Sequence, residues 1–169
     1  MEQDLEFWQR GPITGIVPSL QPVVHALLQA RKEVERALQH FPDALLWQRP
    51  AGVASVGFHL RHLTGVLDRL FTYANAQQLS TEQLLFLQDE SKENAHVSVK
   101  ELIEQFNNQV ERAIEQLRHT SEASLQEQRG VGRRQIPSTV MGLLFHAAEH
   151  TQRHTGQLLV TARVVQGES

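Results

Sequence analysis

The chain has 169 residues, 40% of them hydrophobic and 21% charged, with a net charge of -3 when histidine is neutral. That length suits one domain with its own core, so residues 1–169 are read as a single domain, and the missing basic excess argues against a nucleic-acid partner. Cysteine is absent, which excludes a disulfide framework, a Cys-ligated zinc ribbon, an iron–sulfur cluster and a thiol nucleophile.

Met1 to Trp8 holds Glu2, Asp4 and Glu6 and has no basic stretch leading into an apolar one, so no targeting signal is read there. No apolar run approaches a bilayer-spanning length. A cytoplasmic protein with no membrane partner is the expectation. From Ser19 to Phe41, apolar residues at Leu20, Val23, Val24, Leu27, Leu28, Val34 and Leu38 repeat as one face of a helix. Pro18 and Pro22 open that helix and Pro42 closes it. A second long helix is predicted from about Ser55, a plausible N-cap, to Ala76, with Val56, Leu60, Leu63, Val66, Leu67, Leu70 and Phe71 inward.

Ser80 with Gln83 forms a capping box that starts a short helix through Leu87, followed by a polar connection from Gln88 to His96. Ser98 with Glu101 is a second capping box, and it starts a third long helix with Val99, Leu102, Ile103, Phe106, Val110, Ala113, Ile114 and Leu117 inward. A loop holding Gly130, Gly132 and Pro137 comes next; Gly130 to Ile136 could be extended but is too short to make a sheet alone. The last helix is placed from about Ser138 to Val165, with Val140, Leu143, Leu144, Ala147, Leu158 and Val165 on its apolar side. Four long amphipathic segments without a strong strand signal predict an all-α four-helix bundle. The connection between the second and third long helices, about Gln77 to Val97, is too long for simple up-and-down turns and either crosses the bundle end or covers its mouth.

Histidine is the unusual residue, with nine copies. His59 and His62 lie three apart on the second helix; His146, His150 and His154 lie four apart on the last. Such spacings share a helix face. Neutral imidazole suits zinc or nickel, and a pair at i, i+4 can chelate one ion while a neighbouring helix supplies a third ligand. His146 and His154 are about 12 Å apart along the helix axis, so one adjacent pair, His146/His150 or His150/His154, is the chelating one. His25, His40, His96 and His119 have no partner at useful spacing. A carboxylate-bridged di-iron centre is rejected, because Glu93-x-x-His96 is the lone match and sits in the polar connection.

Two stretches resemble the DinB-like superfamily of bacterial metal-binding bundles. Ser55-Val56-Gly57-Phe58-His59-Leu60-Arg61-His62-Leu63 is similar to its second-helix motif, and His150-Thr151-Gln152-Arg153-His154-Thr155-Gly156-Gln157 to its His-x-x-x-His-x-Gly-Gln pattern on the last helix. The resemblance runs over nearly the whole chain. It implies a DinB-like four-helix bundle in which His62, His150 and His154 hold a divalent ion, with His59 competing with His62 for the second-helix position. Around them, His59 and His146 are read as pocket residues, and Glu149 and Gln157 as partners that could fix a ligand ring. Gly156 would let a neighbouring helix approach closely, Asp68 would pair with Arg69 or Arg61, and Arg129, Arg133 and Arg134 would be solvated or meet an anionic substrate.

The resemblance also implies chemistry in which the metal does the work: hydrolysis, since water on such an ion ionises near neutrality, or S-transfer with a low-molecular-weight thiol as a soft ligand. A homodimer is a further expectation from the resemblance. The competing class is a non-catalytic metal-binding or stress-related interaction protein whose ion is structural.

Overall fold

The computed structural model describes residues 5–167; the acidic start at Glu2 and Asp4, and the extreme C-terminus, lie outside them. A turn of 3-10 helix at Pro18–Leu20 leads into α1 (Gln21–Leu38), with Pro22 in the first turn, where a missing N–H costs nothing. Val23, Val24, Leu27, Leu28, Val34 and Leu38 are all buried, as their spacing predicts. Residues 39–55 then cross to α2 (Val56–Ala74), whose first turn is capped by Ser55 Oγ accepting from the Phe58 N–H at 3.2 Å. Gly57 lets that crossing lie flat on α2: its N–H donates to the Leu46 carbonyl at 2.8 Å, and a Cβ there would sit 2.8 Å from the Trp47 ring.

The short helix α3 (Thr81–Asp89) begins at the expected capping box and ends two residues beyond Leu87. α4 (Val99–His119) begins at the second box and buries Leu102, Phe106, Val110, Ala113, Ile114 and Leu117. The loop expected around Gly130 is in part a hairpin, β1 (Gln128–Val131) antiparallel to β2 (Ile136–Thr139). Two strands this short do not stand alone. These are anchored at both ends: Arg129 Nε donates to the Ala74 carbonyl at the end of α2 at 2.7 Å, and Met141 N–H donates to the Leu125 carbonyl at 2.9 Å. α5 (Val140–Gln166) starts two residues later than predicted, with Thr139 as its cap, accepting from the Gly142 N–H at 3.0 Å.

The four long helices enclose one core, with α1 beside α4 and α5, and α2 beside α4 and α5. Their directions follow from the tie points. Asn107 on α4 donates to Glu35 near the end of α1, while Ser19 before α1 donates to Glu122 beyond the far end of α4, so these two helices are antiparallel. α2 and α5 are antiparallel as well, since His59 meets His154 and His62 meets His150. α2 and α4 run parallel: Thr64 and Gly65 share a cleft with Gln105 and Asn108, and further along Gln116 donates to the Phe71 carbonyl at 2.9 Å. Two parallel neighbours cannot be joined by a short turn, so residues 75–98 must return the length of the bundle. That return path carries α3 along the flank of α2. No helix among the described residues is long and apolar enough to cross a membrane.

Candidate functional site

The antiparallel pairing of α2 with α5 sets the two histidine stripes face to face. His62 Nε2 lies 2.9 Å from His150 Nε2, and His59 Nδ1 lies 3.1 Å from His154 Nδ1. The ring centroids of His62 and His154 are 4.3 Å apart and those of His150 and His154 are 4.6 Å apart. One nitrogen each from His62, His150 and His154 falls within 4.8 Å of the other two, a grouping that can hold a metal ion. His59 and His62 sit on successive turns of one face, and both reach α5. His59 is 3% exposed and lies against His154 alone of the pair on α5.

His146 stands outside this group. Its Nδ1 is 2.6 Å from Glu149 Oε1, and Glu149 also accepts from Arg153 at 2.7 Å, so Glu149 steadies an exposed ring. His146, Glu149 and His150 make a second, more open grouping of possible ligand atoms on the outer side of α5. Gln157 lines a cavity beside His59 and makes no hydrogen bond to an imidazole among the described residues. Gly156 brings no helix close: nothing lies within 4 Å of where its Cβ would be. Asp68 pairs with neither arginine but accepts from Gln83 Nε2 at 2.8 Å.

The residue that reasoning from spacing missed is Glu90. It follows α3 on the returning connection and is 7% exposed. Its Oε1 accepts from His62 Nδ1 at 2.9 Å, and its Oε2 accepts from Arg69 at 3.1 Å. A carboxylate can only accept, so the His62 proton sits on Nδ1 and the Nε2 lone pair faces α5. Phe58 stacks on the His62 ring with 5.3 Å between centroids and 12° between planes, which fixes the ring from its side. Gly65 makes room for the whole arrangement: a Cβ there would lie 2.6 Å from Arg69 and 2.9 Å from Glu90 Oε2. The sequence signal was this glycine in the middle of an amphipathic helix, where glycine costs stability and needs a packing reason.

Three of the four rings are held toward the neutral form, in which they offer lone pairs. Burial, then the neighbouring His62, pushes His59 down to about 4. Burial, then His62 and His150, does the same to His154, also to about 4. His150 is lowered by burial first and by His62 next. Burial alone would raise Glu90, but the His62 hydrogen bond and the Arg69 charge outweigh it and hold the carboxyl below its ordinary range.

This donor set fits a cation. With His62 Nε2 unprotonated, the facing His150 Nε2 must either donate to it or confront it lone pair to lone pair. If it donates, His150 Nδ1 keeps a buried lone pair with no partner; if not, Nδ1 is a buried donor with no partner. Nδ1 is without a partner in either tautomer, and a cation at Nε2 would leave it so; what a cation would relieve is the contact of the two Nε2 lone pairs, which face each other at 2.9 Å.

The same shifts set a pH dependence for the metal-free protein. In the unfolded chain His59 and His154 take up a proton near 6.5; in the fold they resist until about 4. Between those values the unfolded state binds more protons, so stability is full above pH 6.5 and falls as pH drops toward 4. Thermal unfolding of chelator-treated protein from pH 7.5 to 4 should show Tm flat above 6.5 and falling below it. A Tm that rises on acidification to pH 5 contradicts the neutral cluster.

Residues 11–158 match the model of the DinB superfamily. Among solved structures, a conserved protein from Enterococcus faecalis superposes with a TM-score of 0.67 at 19% identity, over 88% of this chain and 97% of its own. A Streptococcus pneumoniae protein gives 0.64 at 15% identity over 96% and 97%, and an uncharacterised protein from Clostridium difficile 630 gives 0.64 at 14% over 88% and 95%. At these identities the likeness is one of fold. No curated protein matches the chain.

Proposed function

This chain belongs to the DinB superfamily, and from that premise we propose that it is a metal-dependent enzyme acting on a small molecule, a hydrolase or a thiol transferase, with one divalent ion held by His62, His150 and His154. The observation that carries the reading is the convergence of three imidazoles from two helices, one of them oriented by the buried Glu90–Arg69 pair. Zinc and nickel both suit an all-imidazole set.

A divalent ion held by three neutral ligands keeps its full charge and supplies Lewis acidity toward a substrate oxygen or sulfur. The chain's own part is positional. Glu90 holds the proton of His62 at Nδ1, Phe58 fixes the plane of that ring, and His59 braces His154 from the protein side.

The test is elemental analysis of protein purified without chelator, followed by a screen of that sample for ester hydrolysis and for transfer of a low-molecular-weight thiol to an electrophile. The expected result is about one zinc or nickel per chain and one of the two activities, lost with chelator and restored by the ion. Metal without either activity, together with melting of the helices on chelation, would favour the ion as a structural element instead.

A further inference from the structure

An open cavity of about 540 Å³ lies beside the histidine cluster, between α5 and the segment that leads into α2. Val53, Ala54 and Val160 give it apolar walls, Arg153 is its one cation, and His59 forms part of its lining. His59 is the physical link, since the ring that lines the cavity also touches His154 at 3.1 Å. The cleft between α1 and α5, about 520 Å³, and that between α2 and α4, about 350 Å³, are lined by none of these imidazoles.

Gly156 lies in this cavity and is unexplained by the fold. It is an interior residue of α5, with no left-handed backbone to require it and no atom within 4 Å of a Cβ. Glycine at such a site weakens a helix more than any residue but proline. Gly65 and Gly57 each have a crowded neighbour that demands the missing side chain; Gly156 has open space. What its missing side chain does provide is volume next to His59. Val53 and Val160 beside it are 53% and 64% exposed, apolar surface that a ligand would cover.

Resting on the metal-dependent reading above, we infer that this cavity receives the organic part of the substrate, a short alkyl or aryl group bearing a single carboxylate, with Gly156 keeping the floor open and Arg153 taking the charge. Arg153 already shares one nitrogen with Glu149 at 2.7 Å. A guanidinium has five N–H donors in a planar fork, so those not given to Glu149 can donate to one carboxylate. Gly156 and Arg153 are specificity and positioning residues; neither enters the reaction.

The probe is hexanoate, with hexan-1-ol as the uncharged control, titrated into zinc-loaded and chelator-treated protein with metal content measured on each sample. Wild type is expected to bind hexanoate at least tenfold more tightly than hexan-1-ol in both forms. Gly156→Leu should weaken hexanoate at least tenfold with metal content unchanged, and Arg153→Gln should bring hexanoate to the level of the alcohol. Gly156→Ala, which folds in any event, should raise Tm by about 3 °C while weakening hexanoate two- to threefold. No wild-type binding, equal binding by wild type and Gly156→Leu, hexanoate binding that vanishes with the metal, or a Gly156→Ala protein of lower Tm would each overturn the assignment. If no sample holds zinc yet Gly156→Leu still weakens hexanoate, the metal reading falls and the cavity stands.

Discussion

His150→Ala should purify with almost no metal, while His146→Ala keeps about one ion per chain. His150 is the member of the cluster that faces His62 nitrogen to nitrogen, and it shares a helix turn with His154. Removing the partner that merely orients a ligand costs 10- to 100-fold in affinity, so removing a ligand should cost more than about 100-fold. The fold should survive, because the ring is half-buried at the cluster and is absent from the apolar core. Metal-free His150→Ala is expected to be no less stable than metal-free wild type: the substitution deletes a nitrogen that has no partner in either tautomer. Elemental analysis and far-ultraviolet circular dichroism on the same sample decide it. Full zinc occupancy in His150→Ala would remove the three-histidine centre from consideration, and lost helicity would point to a structural ion.

The helices were readable because apolar residues recur along the long ones at helical period and because Ser55, Ser80 and Ser98 mark the starts of α2, α3 and α4 with side chains that accept backbone N–H bonds. The imidazoles converge for the same reason: two of the three sit one turn apart on a single helix, so spacing alone places them together. The middle of α5 was less clear. Thr151 and Thr155 are wholly buried, but as polar residues they interrupt the apolar pattern between Ala147 and Leu158, just where the histidines lie. The hairpin was missed because its stability comes from Arg129 gripping the end of α2, a contact 55 residues away in the chain. Gly156 shows the converse error. A glycine beside a ligand motif suggested close helix packing, and the fold leaves that side open because the chain before α2 holds back from it to form a cavity. Local periodicity records which face turns inward; it holds no record of where a 24-residue return path will set down one carboxylate.

That carboxylate supports the second large effect. Glu90→Gln should weaken metal binding 10- to 100-fold, because the amide keeps the shape but loses the charge that fixes the proton on His62 Nδ1 and strengthens the Nε2 lone pair. Glu90→Ala should do the same to the metal and also unfold the protein more easily. It leaves Arg69, 9% exposed, with a charge that has lost its carboxylate. Stranding one member of a buried ion pair costs about 3–5 kcal/mol, which for a chain of this size lowers Tm by roughly 10 °C. Gly65→Ala approaches the same pair from α2 without replacing a titratable group. Its Cβ would lie 2.6 Å from the Arg69 guanidinium, 2.7 Å from Phe86 and 2.9 Å from Glu90 Oε2, so Glu90 has to retreat from His62. If orientation by Glu90 is what readies His62, then Gly65→Ala and Glu90→Gln must lose metal affinity to a similar degree, by titration with zinc against a competing chelator. Wild-type affinity in both would mean that Phe58 stacking alone holds the ring, and that the returning connection passes His62 without acting on it.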